Sequence, residues 1–140
     1  MTTVSQEHVL LALARMAMDA SVRASGELGG LSPVQLRALT ALRQLAEANL
    51  VQLAEEMGVT VSTTSRLVDR LVSADWVHRT SSPHNRREIR LTLTESGKRL
   101  LRRYDKRRVE LLGECLQRVP VERQEAVLEA LADLAQVARP

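Results

Sequence analysis

The sequence predicts a mainly α-helical protein of 140 residues with one β-hairpin, in the order α-α-α-α-β-β-α-α. Apolar residues recur every three or four positions over most of the chain, which is typical of helices that bury one face. Near residue 90 the spacing changes to alternation, because Ile89, Leu91 and Leu93 are separated by Arg90 and Thr92. That pattern indicates a strand with one buried face. The length and a hydrophobic content of 44% fit a single domain with its own core.

The first two predicted helices are separated by the segment GELGGLSP. The first helix runs from about Gln6 to Ala24 and is so apolar that it needs a large packing partner. Ser32 is predicted to be the N-cap of the second helix, with Gln35 as its capping-box partner. That helix is predicted from Pro33, a first-turn proline, to about Ala46.

Two short helices around a glycine are predicted next. Leu50 to Met57 give about two turns, Gly58 reverses the chain, and Thr60 caps a helix that ends near Ser73. This arrangement is a helix-turn-helix. The residues predicted to face inward from its second helix are Val61, Thr64, Leu67, Val68, Leu71 and Val72.

The outer face of that second helix is chemically suited to a DNA groove. Its residues are Ser62, Thr63, Arg66, Asp69 and Arg70. Small hydroxyl side chains near the helix N-terminus permit close approach, and arginines one and two turns later can reach phosphates or guanine edges. Many bundle helices carry a similar surface, so a solvated face is the alternative interpretation.

A β-hairpin is predicted directly after the helix-turn-helix. Its strands are Trp76 to Thr80 and Glu88 to Thr94, and the turn residues between them include two adjacent arginines. A helix-turn-helix followed by such a hairpin is a winged helix. A hairpin beside a helix in the major groove can lie along the DNA backbone, where a narrow minor groove attracts arginine. The tip residues predicted to bind DNA are Asn85, Arg86 and Arg87.

Two further helices are predicted after the wing, the first from near Glu95 to the break at Pro120. The helices at both ends of the chain carry much apolar surface without an obvious partner in a small winged-helix core. A homodimer in which these helices pack together is the economical prediction; closure over the monomer's own core is the alternative. The predicted regions are 1–31 and 98–140 for dimerisation and 32–97 for DNA binding, within one intertwined domain.

The charge is distributed unevenly along the chain. Residues 62–108 hold 13 basic and 5 acidic residues, a net of +8, whereas the rest hold 7 and 12, a net of −5. Such asymmetry suggests a polyanion, nucleic acid before membrane. No apolar run approaches the roughly 20 residues of a membrane span, and the start MTTVSQEH lacks the features of a secretory signal. A cytoplasmic location without a membrane partner is therefore expected.

The segments LSPVQLRALTAL, LVQLAEEMGVTVSTTSRLVDRLVSADWVHRT and RREIRLTLTESGKRL resemble, in their order and spacing, the MarR (multiple-antibiotic-resistance regulator) family of bacterial transcription regulators. The resemblance covers essentially the whole chain. It implies a homodimeric winged helix-turn-helix protein that binds pseudo-palindromic double-stranded DNA. Such proteins are commonly repressors that a small-molecule effector or an oxidant releases.

The resemblance also implies functions for individual residues. Positions of the family's recognition helix are matched by Ser62, Thr63, Arg66 and Arg70, to which the capping Thr60 is added as a candidate. Arg87 matches the arginine that the family inserts into the minor groove. Asn85 departs from the family, which often has Asp there to brace the arginine by an ion pair. We therefore expect Arg87 to be less fixed here, or Arg86 to share its role.

Other reactive residues are interpreted as structural. Cys115 lies in a leucine-rich segment and is predicted to be a buried small hydrophobe, with a redox sensor as the alternative. His8, His78 and His84 lie on three different elements without metal-ligand spacing, so neither a metal nor another cofactor is expected. The run from Lys98 to Arg108 is interpreted as a solvated helix surface with a long-range electrostatic role and no specific contact, with an extension of the DNA-binding surface as the alternative.

Two other classes of function compete with a DNA-binding regulator. An enzyme is disfavoured because the sequence has no phosphate loop, no nucleophile in a motif and no paired carboxylates at a glycine-rich cleft. A winged-helix module that binds protein or RNA, without operator specificity, is the alternative to a regulator. One Trp, one Tyr and no Phe leave few stacking partners for an aromatic effector, so the effector site is not assigned.

Overall fold

The structure is a computed structural model that describes residues 4–82, 84–85 and 88–138. The predicted mainly α fold with a winged helix-turn-helix is confirmed, with one additional short strand. In chain order the elements are α1 Gln6–Glu27, α2 Pro33–Leu45, β1 Glu47–Ala48, α3 Leu50–Met57, α4 Val61–Ser73, β2 Val77–Ser81, β3 Ile89–Leu93, α5 Glu95–Gln117 and α6 Val121–Val137.

The three strands form an antiparallel sheet in the order β1-β3-β2. In the hairpin, Val77 pairs with Leu93 and Ser81 with Ile89. On the other edge of β3, Glu47 pairs with Thr92. β1 was not predicted, because two residues are too few to show an alternating pattern and the strand exists only by pairing with β3.

The chain forms two compact units. The central unit contains residues 21–106, and the terminal unit contains the two ends of the chain, up to residue 20 and from residue 107. In the central unit α2 packs against α3 and β3, and α3 packs against α4. Its fully buried side chains include Leu36, Leu39, Leu42, Leu53, Val68, Leu71 and Leu91.

The predicted caps of the central unit are confirmed. The Ser32 side chain accepts a bond from the Gln35 backbone N–H at 3.2 Å, and the Gln35 side chain accepts from the Ser32 N–H at 2.8 Å. A second capping box, which was not predicted, is formed by Asn49 and Gln52 at the start of α3. Gly58 ends α3 with a φ of 67°, a left-handed conformation that glycine adopts without a steric penalty.

The terminal unit leaves much apolar surface exposed within one chain. None of the α6 residues is buried, and its exposed side chains include Leu128, Leu131 and Leu134. The prediction that Cys115 is buried is wrong, because this residue is exposed. Cys115 follows the buried Leu111 by one helical turn, but the described residues of its own unit leave that last part of α5 uncovered.

Candidate nucleic-acid interface

Helix α4 is fixed to the central unit by one buried stripe. Thr64, Leu67, Val68 and Leu71 are buried as predicted, and the Thr64 hydroxyl donates to the Thr60 carbonyl at 2.9 Å. The prediction that Val61 faces inward is wrong, because it is 45% exposed. Val61 lies in the first turn of α4, about one turn before Thr64, the first buried residue of the stripe. The packed core does not extend to this position.

The opposite face of α4 is open to solvent. Ser62, Thr63, Arg66 and Arg70 are exposed on it, so the structure brings together the predicted recognition-helix residues along three turns. Arg66 and Arg70 form no ion pair within the described residues. Their guanidinium groups are therefore available to phosphates or to base edges.

Thr60 and Thr63 form a small hydroxyl network at the start of α4. The Thr60 hydroxyl oxygen accepts from the Thr63 backbone N–H at 3.1 Å, and the same hydroxyl donates to the Thr63 Oγ1 at 3.0 Å. Because a hydroxyl has only one proton to donate, that of Thr60 is used within the helix cap. The proton of Thr63 can serve an acceptor outside the chain, so Thr63 is the better phosphate donor of the two.

An ion pair joins α4 to the hairpin. Asp69, the acidic residue of the outer face of α4, accepts a hydrogen bond from the Arg79 guanidinium on β2. Both side chains keep substantial exposure, so the pair adds little to stability. It nevertheless orients two side chains from the two elements that are predicted to contact DNA.

Thr94 connects the base of the hairpin to the end of α4. Its hydroxyl donates to the Asp75 carbonyl at 2.6 Å, and its backbone N–H donates to the Trp76 carbonyl at 3.1 Å. Asp75 has a φ of 62°, which is uncommon for a residue other than glycine. The same Thr94 hydroxyl accepts from the Gly97 N–H at 2.9 Å and so caps α5.

The return strand of the hairpin is bound to the start of α3 and to β1. Arg90 forms an ion pair with Glu47 at 3.1 Å, and the Asn49 side chain donates to the Glu88 carboxylate at 3.0 Å. At the tip, Asn85 is exposed and its carbonyl accepts from the Glu88 N–H at 3.0 Å. The predicted wing residues Arg86 and Arg87 lie outside the described residues.

Sequence reasoning missed the bonds that hold the wing in place. Asp69 was assigned to the outer face without a partner, and Thr94 was interpreted only as the end of a strand. The charge of Asp69 was a usable signal, because a carboxylate that lies among exposed arginines is expected to pair with a cation. Nothing in the sequence spacing indicated Thr94, whose acceptor is 19 residues away in the chain.

The central unit also contains a polar cavity of about 200 Å³ beside β1. Glu47 and Glu88 line it together with Arg90. Two carboxylates make it unsuitable for an aromatic acid. Among the described residues, no group of three potential metal ligands lies together, and none of the helices is long and apolar enough to cross a membrane.

Comparisons with known proteins place these features among transcription regulators. The sequence profile of the MarR family matches residues 31–89. The Bacillus subtilis (strain 168) regulator YfiV, of helix-turn-helix type, is 32% identical over 106 residues, which cover 75% of this chain and 66% of YfiV. The helix-turn-helix transcriptional repressor MdtR of the same strain is 34% identical over 73 residues, or 52% of this chain and 47% of MdtR.

A solved structure covers the whole chain. The crystal structure of RV1404 from Mycobacterium tuberculosis has a TM-score of 0.84 and 25% identity, and the match covers 100% of this chain and 99% of RV1404. The chain spans 43% to 66% of the length of the curated relatives it matches. These relatives are transcription regulators, which agrees with the expectation that the chain is not an enzyme.

Proposed function

This chain belongs to the MarR family, and from that premise we propose that it is a homodimeric, sequence-specific DNA-binding regulator of transcription. The observation that carries the proposal is the outer face of α4. It presents two hydroxyl side chains in its first turn and, in the following turns, two arginines that no described residue pairs. A helix with this order of residues can enter the major groove by its N-terminal end.

The groove contacts divide into two kinds. Ser62 and Thr63, beside the backbone N–H groups of the first turn, suit a phosphate, as anions are bound at helix N-termini. Arg66 and Arg70 have the reach and the fork geometry for guanine O6 and N7. We assign sequence readout to these arginines and positioning to the hydroxyl residues, with Thr60 holding the helix start.

We assign the hairpin to the minor groove beside the α4 site. Asn85, Arg86 and Arg87 form its tip in sequence, and arginine is the residue that a narrow, electronegative minor groove attracts. The anchoring of both hairpin strands supports this assignment. The Asp69–Arg79 pair and the Asn49–Glu88 bond link the two strands to α4 and α3, respectively, so a contact at the tip is made from a braced element.

The dimer is the second part of the proposal, with the dimerisation surface in regions 1–31 and 98–140. Helix α6 has 17 residues and no buried side chain, so a partner is needed to cover Leu128, Leu131 and Leu134. A second copy supplies such a surface, and two-fold symmetry presents two α4 helices to a pseudo-palindromic site.

We propose repression as the mode of action, because a dimer on an operator competes with polymerase for DNA, and the relative MdtR is a repressor. A regulator of this kind acts in the cytoplasm, where a bacterial genome lies. We also expect release by a small molecule, as in the family, and assign no residues to the effector site.

The test is a selection of bound duplexes from a random-sequence library, followed by fluorescence anisotropy across a salt series. We expect enrichment of one two-fold symmetric sequence that the protein binds at least about 10³-fold more tightly than random duplex. Arg70→Ala should weaken binding to the selected sequence by roughly 1 to 3 kcal/mol and relax preference at one base position in each half.

The matched control is Arg37→Ala, which removes an exposed arginine of the central unit that lies outside α4. It should leave the base preference intact. A library without any enriched sequence, together with equal and salt-labile binding to all duplexes, would instead identify the protein- or RNA-binding module.

A further inference from the structure

The first turns of α5 carry a surface that the groove contacts do not use. Its residues, called here the α5 cationic face, are Arg99, Arg102, Arg103 and Lys106, and all four are exposed. They stand at spacings of three and four residues, so they are neighbours on one side of the helix. A single sign of charge therefore covers about two turns.

Nearby acidic residues do not neutralise this face. Glu95 forms an ion pair with Lys98 at 3.2 Å, and Asp105 accepts a hydrogen bond from Arg43 of α2 at 2.6 Å. Arg102, Arg103 and Lys106 form no ion pair within the described residues. Arg99 donates to the Ser96 hydroxyl, a neutral group.

This arrangement works against helix stability. Arg99 and Arg103, and likewise Arg102 and Lys106, are like charges at i and i+4, which repel each other. Arg79 and Arg90 of the hairpin, by contrast, are paired with Asp69 and Glu47, and the unpaired Arg66 and Arg70 belong to the face of α4 that is proposed to bind DNA. A surface with both basic and acidic residues would be equally soluble. The repulsion among the like charges of this face suggests that it binds a ligand with many negative charges.

The face lies in the same compact unit as the proposed DNA-contacting elements. The central unit ends at Lys106, and it carries 14 basic and 9 acidic residues, a net of +5, whereas the terminal unit has a net of −2. α5 begins directly after β3, and Thr94 ties that junction to the end of α4. The α5 cationic face therefore begins, with Arg99, within two helical turns of the base of the wing.

We propose that the α5 cationic face binds the phosphate backbone of DNA, in addition to the contacts of α4 and of the wing. The inference rests on the proposed function for its choice of polyanion. Arginine matches phosphate through parallel N–H bonds, and a row of cations that releases condensed counterions gains affinity without reading sequence. The face thus sets how strongly the protein holds any duplex, while α4 sets which duplex it prefers.

The test compares Arg102→Gln/Arg103→Gln with Arg37→Gln, which removes a charge from an exposed position of the central unit outside the proposed dimerisation regions. Binding to random duplex and to the selected operator is measured by anisotropy across a salt series. We expect the α5 variant to lower the slope of log affinity against log salt by about 0.9 for each phosphate that the protein no longer neutralises. The control variant should keep the slope of the natural sequence. The preference for operator over random duplex should not change, because phosphate contacts carry no sequence information.

If the α5 variant and the control variant have the same salt slope, the inference is overturned. This is also the result expected if the face binds a free anion and not DNA. Arg102→Lys/Arg103→Lys keeps the charges and should restore most of the slope. Circular dichroism melting should show no loss of stability in the Gln variant, since like charges were removed. Absence of an operator preference in the natural sequence would refute the proposed function while leaving the slope on random duplex measurable.

Discussion

Asp69 is an acidic side chain on the outer face of α4, beside Arg66 and Arg70. Within the described residues its partner is Arg79 of β2. The carboxylate repels DNA phosphates, so its presence on this face is unfavourable for binding in general. It is favourable for specificity if it fixes Arg79 and the wing relative to α4.

Asp69→Asn should therefore separate affinity from specificity. We expect tighter binding to random duplex, because one repulsive charge is removed and Arg79 is released. We expect the preference for the operator to fall by about two- to five-fold, in keeping with the roughly 0.5 to 1 kcal/mol of an exposed ion pair. Paired anisotropy titrations on both duplexes measure the ratio.

Glu56→Gln is the control for Asp69→Asn, since Glu56 is an exposed acid of α3 without an ion pair within the described residues. It should change binding to both duplexes alike. An operator preference that stays constant or increases in Asp69→Asn would show that the ion pair does not position the wing.

At the level of residues, the sequence predicted exposure on α4 well and predicted partners poorly. The periodic apolar stripe determines which side of α4 is buried, so Ser62, Thr63, Arg66 and Arg70 could be assigned. Cys115 was assigned wrongly because its leucine neighbours suggested a buried stripe, and periodicity does not reveal where the packing partner of a helix ends.

Among the elements, the wing is the one whose position depends most on two backbone segments lying close together. Gly97 in the first turn of α5 faces the Trp76 carbonyl so closely that an added Cβ would clash with that backbone oxygen. The Thr94 hydroxyl bonds to Asp75 and Gly97 at the same place. The turn after α4, the hairpin base and the start of α5 are thus one packed junction.

Gly97→Ala should destabilise this junction although alanine is the better helix former. The clash is with backbone, so we expect a net loss of about 1 to 3 kcal/mol, typical of overpacking, and weaker operator binding. Denaturant unfolding measures the loss. Gly26→Ala, where the added methyl meets no atom within 4 Å, should be neutral or stabilising by up to about 1 kcal/mol. Equal stability of the two variants would contradict the packed junction.

The long elements were predictable because their signals are local. The Ser32–Gln35 capping box and the 3.6-residue period determine α2, and Gly58 with Thr60 determines the turn between α3 and α4. β1 and the Thr94 junction were not predictable, because each arises from pairing between segments that are far apart in the sequence.

Over the whole molecule, charge and apolar surface are segregated. The central unit holds the excess of cations and the outer face of α4, and the terminal unit holds the uncovered leucines of α6. Composition predicted a cationic segment, and the apolar ends of the chain predicted a dimer. In the proposed dimer, the positions of two α4 helices on DNA depend on a second chain, which no single-chain pattern specifies.

The most direct test of a two-fold symmetric, site-specific complex is a hydroxyl-radical footprint of the protein on its selected operator. We expect two protected half-sites related by two-fold symmetry, with centres about 10 to 10.5 base pairs apart or a multiple of that spacing. Protection of a single asymmetric segment, or protection that is no stronger on the operator than on random duplex, would contradict such a complex.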